Sequence, residues 1–249
     1  MNIVIFDTET TSLNKPFCYN IGYCIMNVES RKTLVERDFV VEQVWHNLPL
    51  FSTAYYADKR PIYVEAMRKH ETIMDKYGYI CQTMRRDFKK YEVESAYAYN
   101  SPFDDKVFAY NCDWFKCNNP FDTIPIYDIR GYAHNFIVGE DYIKFCEENS
   151  LFTETGNYST TAENMYRFLW NDMNFIEAHT ALADSRIEAE ILFECFNLGA
   201  EVGVNYEVKR TIERKTTKTL EVIDKEKTSH YFEYEKIRIN GAKTKIILK

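Results

Sequence analysis

The sequence predicts an α/β fold, a mixed sheet flanked by helices with a small β-rich C-terminal extension. Three observations carry this. The N-terminal region reads as strands: an apolar run over 2–6, then β-prone stretches over 19–28 and 33–42. The middle of the chain alternates short strands with helical segments, which favours parallel pairing. A long amphipathic helix over 181–198 closes the body, and after Gly203 the chain turns charged and β-branched.

In chain order, Glu29-Ser30-Arg31-Lys32 reads as a hairpin turn between the second and third strands. Residues 62–76 and 79–91 have helical patterning, separated by Gly78. Residues 95–99 form a short strand, and Ser101-Pro102 opens a helix to about 116, with Ser101 as N-cap and Pro102 at the first helical position. Residues 124–128 suit another short strand. Residues 140–148 and 160–170 suit helices, the second capped by Ser159 or Thr160. In the last helix, Ile187, Ile191, Leu192, Cys195 and Leu198 recur at helical spacing and Gly199 ends the run. In the tail, Phe232–Ile239 and Ala242–Leu248 flank Asn240-Gly241, the dipeptide suited to a type I′ turn. The composition shift divides the chain into a domain over 1–204 and a basic β-rich extension over 205–249.

The 249 residues are 45% hydrophobic, which argues against intrinsic disorder. No apolar run reaches the ~18–20 residues of a membrane span. The N-terminus lacks the cationic, apolar and small-residue segments of a signal peptide. Seven scattered cysteines without a Cys-x-x-Cys pair suit reduced thiols in a reducing compartment. Cys112 and Cys117 are too far apart for a zinc knuckle and have no second pair. The expectation is a cytoplasmic protein with no membrane partner. Net charge is −7, but residues 205–249 carry +5 and residues 58–90 carry +4. Basic regions on an acidic body suit an enzyme whose carboxylates hold metal while other surfaces meet phosphates.

Three motifs carry chemistry. Asp7-Thr8-Glu9 ends the first strand, and residues i and i+2 of a strand project from one face, so two carboxylates point together. Such a pair repels unless a cation lies between, and oxygen ligands favour Mg²⁺ or Mn²⁺ over zinc. Asn100-Ser101-Pro102-Phe103-Asp104 leaves a strand and opens a helix, placing Asp104 in the first turn, where the helix dipole favours negative charge. His179-Thr180-Ala181-Leu182-Ala183-Asp184 opens the long helix, with a histidine suited to general-base work beside a carboxylate. Each alone is compatible with ordinary turns and caps.

Together and in this order, the motifs resemble the DEDDh family of 3′→5′ exonucleases, over about residues 1–200. The histidine branch is indicated, because the tyrosine branch would place Tyr at position 180, where Thr180 stands. The resemblance implies a ribonuclease H-like fold and two divalent cations, Mg²⁺ or Mn²⁺. Asp7, Glu9 and Asp184 would ligate one cation, Asp7 and Asp104 the second, and His179 would deprotonate the attacking water. The products would be nucleoside 5′-monophosphates cut from a DNA or RNA 3′ end, with single-stranded DNA as the first reading. An exoribonuclease of the ribonuclease T or oligoribonuclease kind is the alternative, and a non-catalytic binding module on the same scaffold is a further rival. Thr10, Thr11 and Leu13 match the segment with which the family holds the terminal nucleotide, through backbone amides and an apolar wedge. Ser12 stands where a glycine is common.

Other features are weaker. Arg85-Arg86-Asp87-Phe88-Lys89-Lys90 combines cations with an aromatic, as a phosphate-tracking surface would, although a solvated helix face also fits. Residues 46–51, His-Asn-Leu-Pro-Leu-Phe, faintly resemble sliding-clamp-binding peptides and so admit a replication-protein partner. Phe17 and Tyr19 lie close enough to the first motif to serve as base-stacking platforms. The tail suits substrate guidance by its charge, or a homodimer by strand addition.

Overall fold

In the computed structural model, residues 1–208 are described in full. Beyond them the backbone is described over 216–223, 229–239 and 243–248. The body is a six-stranded mixed sheet ordered β4-β3-β2-β1-β5-β6. Its strands are β1 (Asn2–Thr10), β2 (Cys18–Asn27), β3 (Thr33–Val41), β4 (Ile73–Asp75), β5 (Val93–Ala98) and β6 (Ile126–Asp128). β1–β2 and β2–β3 pair antiparallel, whereas β1–β5, β3–β4 and β5–β6 pair parallel. The described helices are α1 (Glu42–Trp45), α2 (Leu48–Phe51), α3 (Arg60–Arg68), α4 (Tyr77–Lys90), α5 (Ser101–Phe115), α6 (Ile129–Phe136), α7 (Glu140–Glu148), α8 (Ala162–Trp170) and α9 (Ala181–Asn197). No helix among the described residues is long and apolar enough to cross a membrane.

The pleat sorts the two cores. Val4 and Phe6 of β1 pack with Met84 of α4 and with Val107 and Phe108 of α5. Ile3 and Ile5 point the other way, onto Ile129 and Tyr132 of α6, Met165 of α8, and Ile191 and Leu192 of α9. Two-residue alternation thus gives β1 two buried faces, which explains why its apolar residues run without a break.

Several expectations are corrected. β1 continues four residues past the apolar run and carries Asp7 and Glu9 within the strand, held by β2 through Asp7–Gly22 and Glu9–Asn20. The helix expected over 62–76 stops at Arg68. His70 adopts a left-handed backbone (φ 59°), and Ile73–Asp75 pairs with Phe39–Val41 as an edge strand. Gly78 lies inside α4 instead of separating helices. The N-cap of α5 is Asn100, left-handed at φ 65°, one residue before the expected Ser101. Thr161 caps α8 by accepting from the Asn164 amide, in place of Ser159 or Thr160. α6 has no counterpart among the sequence expectations. Asp128 caps it through the Arg130 amide, 3.0 Å.

The chain beyond α9 stays on the body. Tyr132 donates to the Val204 carbonyl, Tyr97 accepts from the Gly203 amide, and Asn135 donates to the Glu207 carbonyl. Further along, β7 (Thr216–Ile223), β8 (Ser229–Ile239) and β9 (Lys243–Leu248) form an antiparallel three-stranded sheet of their own. The Asn240-Gly241 turn lies outside the described residues.

Candidate functional site

β1 pairs with β5 only as far as Ile5–Tyr97, so Asp7 and Glu9 project beyond the end of β5 at the carboxyl ends of the parallel strands. Both residues share the face of Ile3 and Ile5, onto which α9 packs. The arrival of α9 is set by β2. A Cβ on Gly22, the partner of Asp7, would lie 2.0 Å from the Leu182 backbone nitrogen, so only glycine lets the first turn of α9 meet the sheet. Thr180 makes no side-chain cap, and the Ala181 amide donates instead to the buried Asn20 Oδ1 across the sheet, 2.8 Å. Ser185 donates to the Gly22 carbonyl, 3.1 Å. This docking carries Asp184 to the strand: carboxylate oxygens of Asp7, Glu9 and Asp184 lie within 4.8 Å of one another.

Asp104 approaches from the opposite side of β1. The pleat turns Thr8 toward α5, and its hydroxyl donates to Asp104 Oδ1 at 2.6 Å. His179 sits before α9 with a left-handed backbone (φ 52°). Its ring stacks on Tyr56 (4.2 Å, 13°), and Nδ1 faces Glu177 Oε2 at 3.7 Å. Asp7, Glu9, Asp104, His179 and Asp184 all line one cleft of about 380 Å³, together with Glu177 and Glu188. A larger groove of about 1240 Å³ shares Asn100 and Arg130 with it. There, Asp105, Asp128 and Glu207 face the single cation Arg130 among the described residues, a charge unsuited to phosphates.

The electrostatics of the cleft favour protons or cations on its carboxylates. Burial pushes the Asp7 carboxyl up to about 7. Burial, then the charges of Asp7 and Glu177, push Glu9 up to about 9. Burial and then Asp7 do the same to Asp184, also to about 9. Asp104 is held well above the carboxylate range by burial and Asp7. Asp184 Oδ1 is buried with no hydrogen-bond partner. A buried carboxylate oxygen of this kind is a costly orphan unless a cation satisfies it. Burial and the Lys59 charge lower the His179 imidazole, favouring its neutral form at pH 7. The oxygen donor set and its charge therefore fit a hard divalent cation.

Two acidic residues of the cleft were missed by sequence reading. Glu188 lies one helical turn after Asp184, a spacing that puts both on one face of α9. It accepts from the Tyr99 amide at 3.2 Å and so ties the end of β5 to α9. Glu177, two residues before His179 in an irregular segment, carried no periodic signal. Burial and Asp7 push it to about 7.

The segment after β1 is built differently from a glycine turn. Ser12 does not adopt a positive φ. Its hydroxyl accepts from the Lys15 amide and donates to the Lys15 carbonyl, which closes the loop. The Thr11 side chain is buried and its amide donates to the Phe17 carbonyl, 2.9 Å. The Thr10 hydroxyl makes a long contact to the Ser12 carbonyl, 3.4 Å. Leu13 is 73% exposed, and Lys106 reaches its carbonyl.

The weaker features resolve toward packing. Tyr19 is buried, with its hydroxyl 3.5 Å from Glu9 Oε2, so it supports the acidic strand and offers no stacking face. Phe17 packs edge-on against Tyr110 and Trp114. Phe88 is a core residue, which removes the aromatic from the Arg85–Lys90 surface. Phe51, at the end of the clamp-like segment, is buried against Trp45 and Tyr19.

A twisted mixed sheet with helices on both faces and acidic residues at the strand ends defines the ribonuclease H-like α/β class. Within that class, the fold is similar to that of a DEDDh-family nuclease domain. It is similar to the solved nuclease domain of 3′hExo, a DEDDh family member bound to rAMP, with a TM-score of 0.55 and 15% identity over 83% of this chain and 96% of that one. No protein-family profile matches the sequence. No curated protein matches it either.

Proposed function

We propose that this protein is a metal-dependent 3′→5′ exonuclease that releases nucleoside 5′-monophosphates from single-stranded DNA ends. The observation that carries the reading is the convergence of Asp7, Glu9 and Asp184 within 4.8 Å, with Asp104 and His179 lining the same cleft. Asp7, Glu9 and Asp184 would hold one Mg²⁺ or Mn²⁺, and Asp7 with Asp104 a second. When bound, such a pair lowers the pKa of water and neutralises charge at phosphorus. Thr8 orients Asp104 through its hydroxyl, and Asn20 and Gly22 fix Asp184 by seating α9. His179 accepts the proton of the attacking water. With Nδ1 turned to Glu177, Nε2 is the accepting atom, and Tyr56 holds the ring plane. Leu13, 73% exposed and with its carbonyl held by Lys106, would serve as the apolar wedge for the 3′-terminal nucleotide. All seven cysteines are free thiols, the state a cytoplasmic setting maintains.

RNA is the second reading. The 3′hExo nuclease domain was solved with rAMP, a ribonucleotide. The deciding experiment uses 5′-labelled single-stranded DNA and RNA of identical sequence, with Mn²⁺, with EDTA, and with Asp7→Ala. A metal-dependent ladder shortening from the 3′ end is expected, with the variant below a few per cent of the wild-type rate. The faster polymer names the substrate class. An Asp7→Ala protein that keeps a substantial rate would refute the assignment.

A further inference from the structure

Outside the cleft, the fold assembles a second group of metal-ligating side chains. The thiol sulfurs of Cys81, Cys112 and Cys117 lie within 4.8 Å of one another. Spacing alone argued against a site, because Cys112 and Cys117 are separated by four residues and lack a second pair. The end of α5 removes that objection. Lys116 takes a left-handed conformation (φ 54°, ψ 52°), and the Cys117 amide donates back to the Cys112 carbonyl at 3.1 Å. The chain therefore reverses over its own last turn and returns Cys117 to Cys112. α4 supplies the third thiol. Its N-terminal turn comes so close that a Cβ on Gly78 would sit 3.6 Å from Cys117 Cβ. Cys81 and Cys112 are buried, and Cys117 is half-buried.

We propose that Cys81, Cys112 and Cys117 form a thiolate site for one zinc ion, separate from the carboxylate cleft. Three soft sulfur donors select a thiophilic cation and not Mg²⁺ or Mn²⁺, which prefer oxygen. Zinc–thiolate bonds of about 2.3 Å in a tetrahedral site require sulfurs roughly 3.8 Å apart. The present separations, all within 4.8 Å, would have to close by at most about 1 Å. Each thiol loses its proton to solvent on binding. The partly exposed side at Cys117 gives the ion its route in and leaves a fourth position for water.

A second observation points to the same place. The hydroxyl of Tyr77, one helical turn before Cys81, is buried with no oxygen or nitrogen partner and lies against the Cys112 thiol. It is placed to donate to a thiolate. Phe115 stacks on Tyr77 (5.3 Å, 30°) and forms an apolar wall. Bound zinc would clamp α4 to the C-terminal end of α5, at the opposite end of that helix from Asp104.

The test is Co²⁺ titration of the full-length reduced protein, followed in the near ultraviolet. The expected result is a thiolate-to-cobalt charge-transfer band that saturates at one equivalent per chain and is displaced by one equivalent of Zn²⁺. Carboxylate sites give no such band, so the reading is independent of the exonuclease cleft. Cys117→Ser, the half-buried member, should abolish the band while leaving the far-ultraviolet circular dichroism spectrum and the nuclease rate unchanged. A wild-type protein without the band overturns the proposal. So does a band of full intensity in Cys117→Ser, or a denatured chain with two fewer than seven titratable thiols, which would reveal a disulfide instead.

Discussion

Asp184→Asn isolates the central electrostatic feature of the cleft. Asp184 lies within 4.8 Å of both Asp7 and Glu9 and is 5% exposed. At an effective dielectric constant of about 20, each like-charge pair at that distance costs about 3.5 kcal/mol. Without a cation, the folded protein avoids this by keeping protons that the unfolded chain releases near pH 4. For carboxyls raised to about 9 in the fold, stability is lost as pH rises from about 4 to about 9. For Asp184 alone, this amounts to about 4 kcal/mol at pH 7 and about 1.5 kcal/mol at pH 5. Asparagine is neutral and nearly isosteric, so it removes that dependence, although burial of its amide offsets part of the gain. At about 2–4 °C per kcal/mol for a chain of this size, the melting temperature in EDTA should rise by at least about 5 °C at pH 7, and by clearly less at pH 5. Saturating Mn²⁺ should stabilise the wild type by about 3 kcal/mol at a hundredfold excess over Kd and so close or reverse the gap. The assay is differential scanning fluorimetry from pH 5 to pH 8 with EDTA and with Mn²⁺. A variant no more stable than wild type in EDTA at any pH would refute the reasoning.

Three further outcomes follow from the same geometry. His179→Ala should lower the rate about 10²–10⁴-fold while leaving Mn²⁺ binding intact, and an unchanged rate would place the proton acceptor elsewhere. Gly22→Ala drives a methyl into the Leu182 backbone, so urea denaturation should show a loss of about 3 kcal/mol or more, with Mn²⁺ binding lost too. A midpoint equal to wild type would show that α9 does not need that approach. The single-turnover rate at limiting Mn²⁺ should rise between about pH 6 and pH 9, because cations must displace protons from Asp7, Glu9 and Asp184. A rate independent of pH across that range would contradict the raised carboxyls.

Local pattern settled much of this protein. The apolar run of β1, the paired β-stretches of β2 and β3 and the helical periodicity of α9 each report burial of a face, and neighbours in sequence are enough to read that. The α/β class was legible for that reason, whereas the set Asp7, Glu9, Asp104, His179 and Asp184 was legible only through its resemblance to the DEDDh pattern. β4 was not. Its three residues have no strand pattern of their own and become a strand through hydrogen bonds offered by β3. α6 was missed because its start depends on one Asp128 cap and its pattern is too short to stand out.

The tertiary structure decided how the pieces meet. Sequence spacing cannot show that Asn20 caps α9 from 161 residues away, or that Gly22 exists for the backbone of Leu182. Both facts arise from close packing of a helix on a sheet, a relation between distant segments. The same holds for Glu188 beneath the cleft, where the fold decided that a helical carboxylate would be buried against β5. It holds again for Cys81 beside Cys112 and Cys117, three thiols gathered by one left-handed turn and the approach of a neighbouring helix. Periodicity tells a residue which way to face. Only the packed structure determines what it faces.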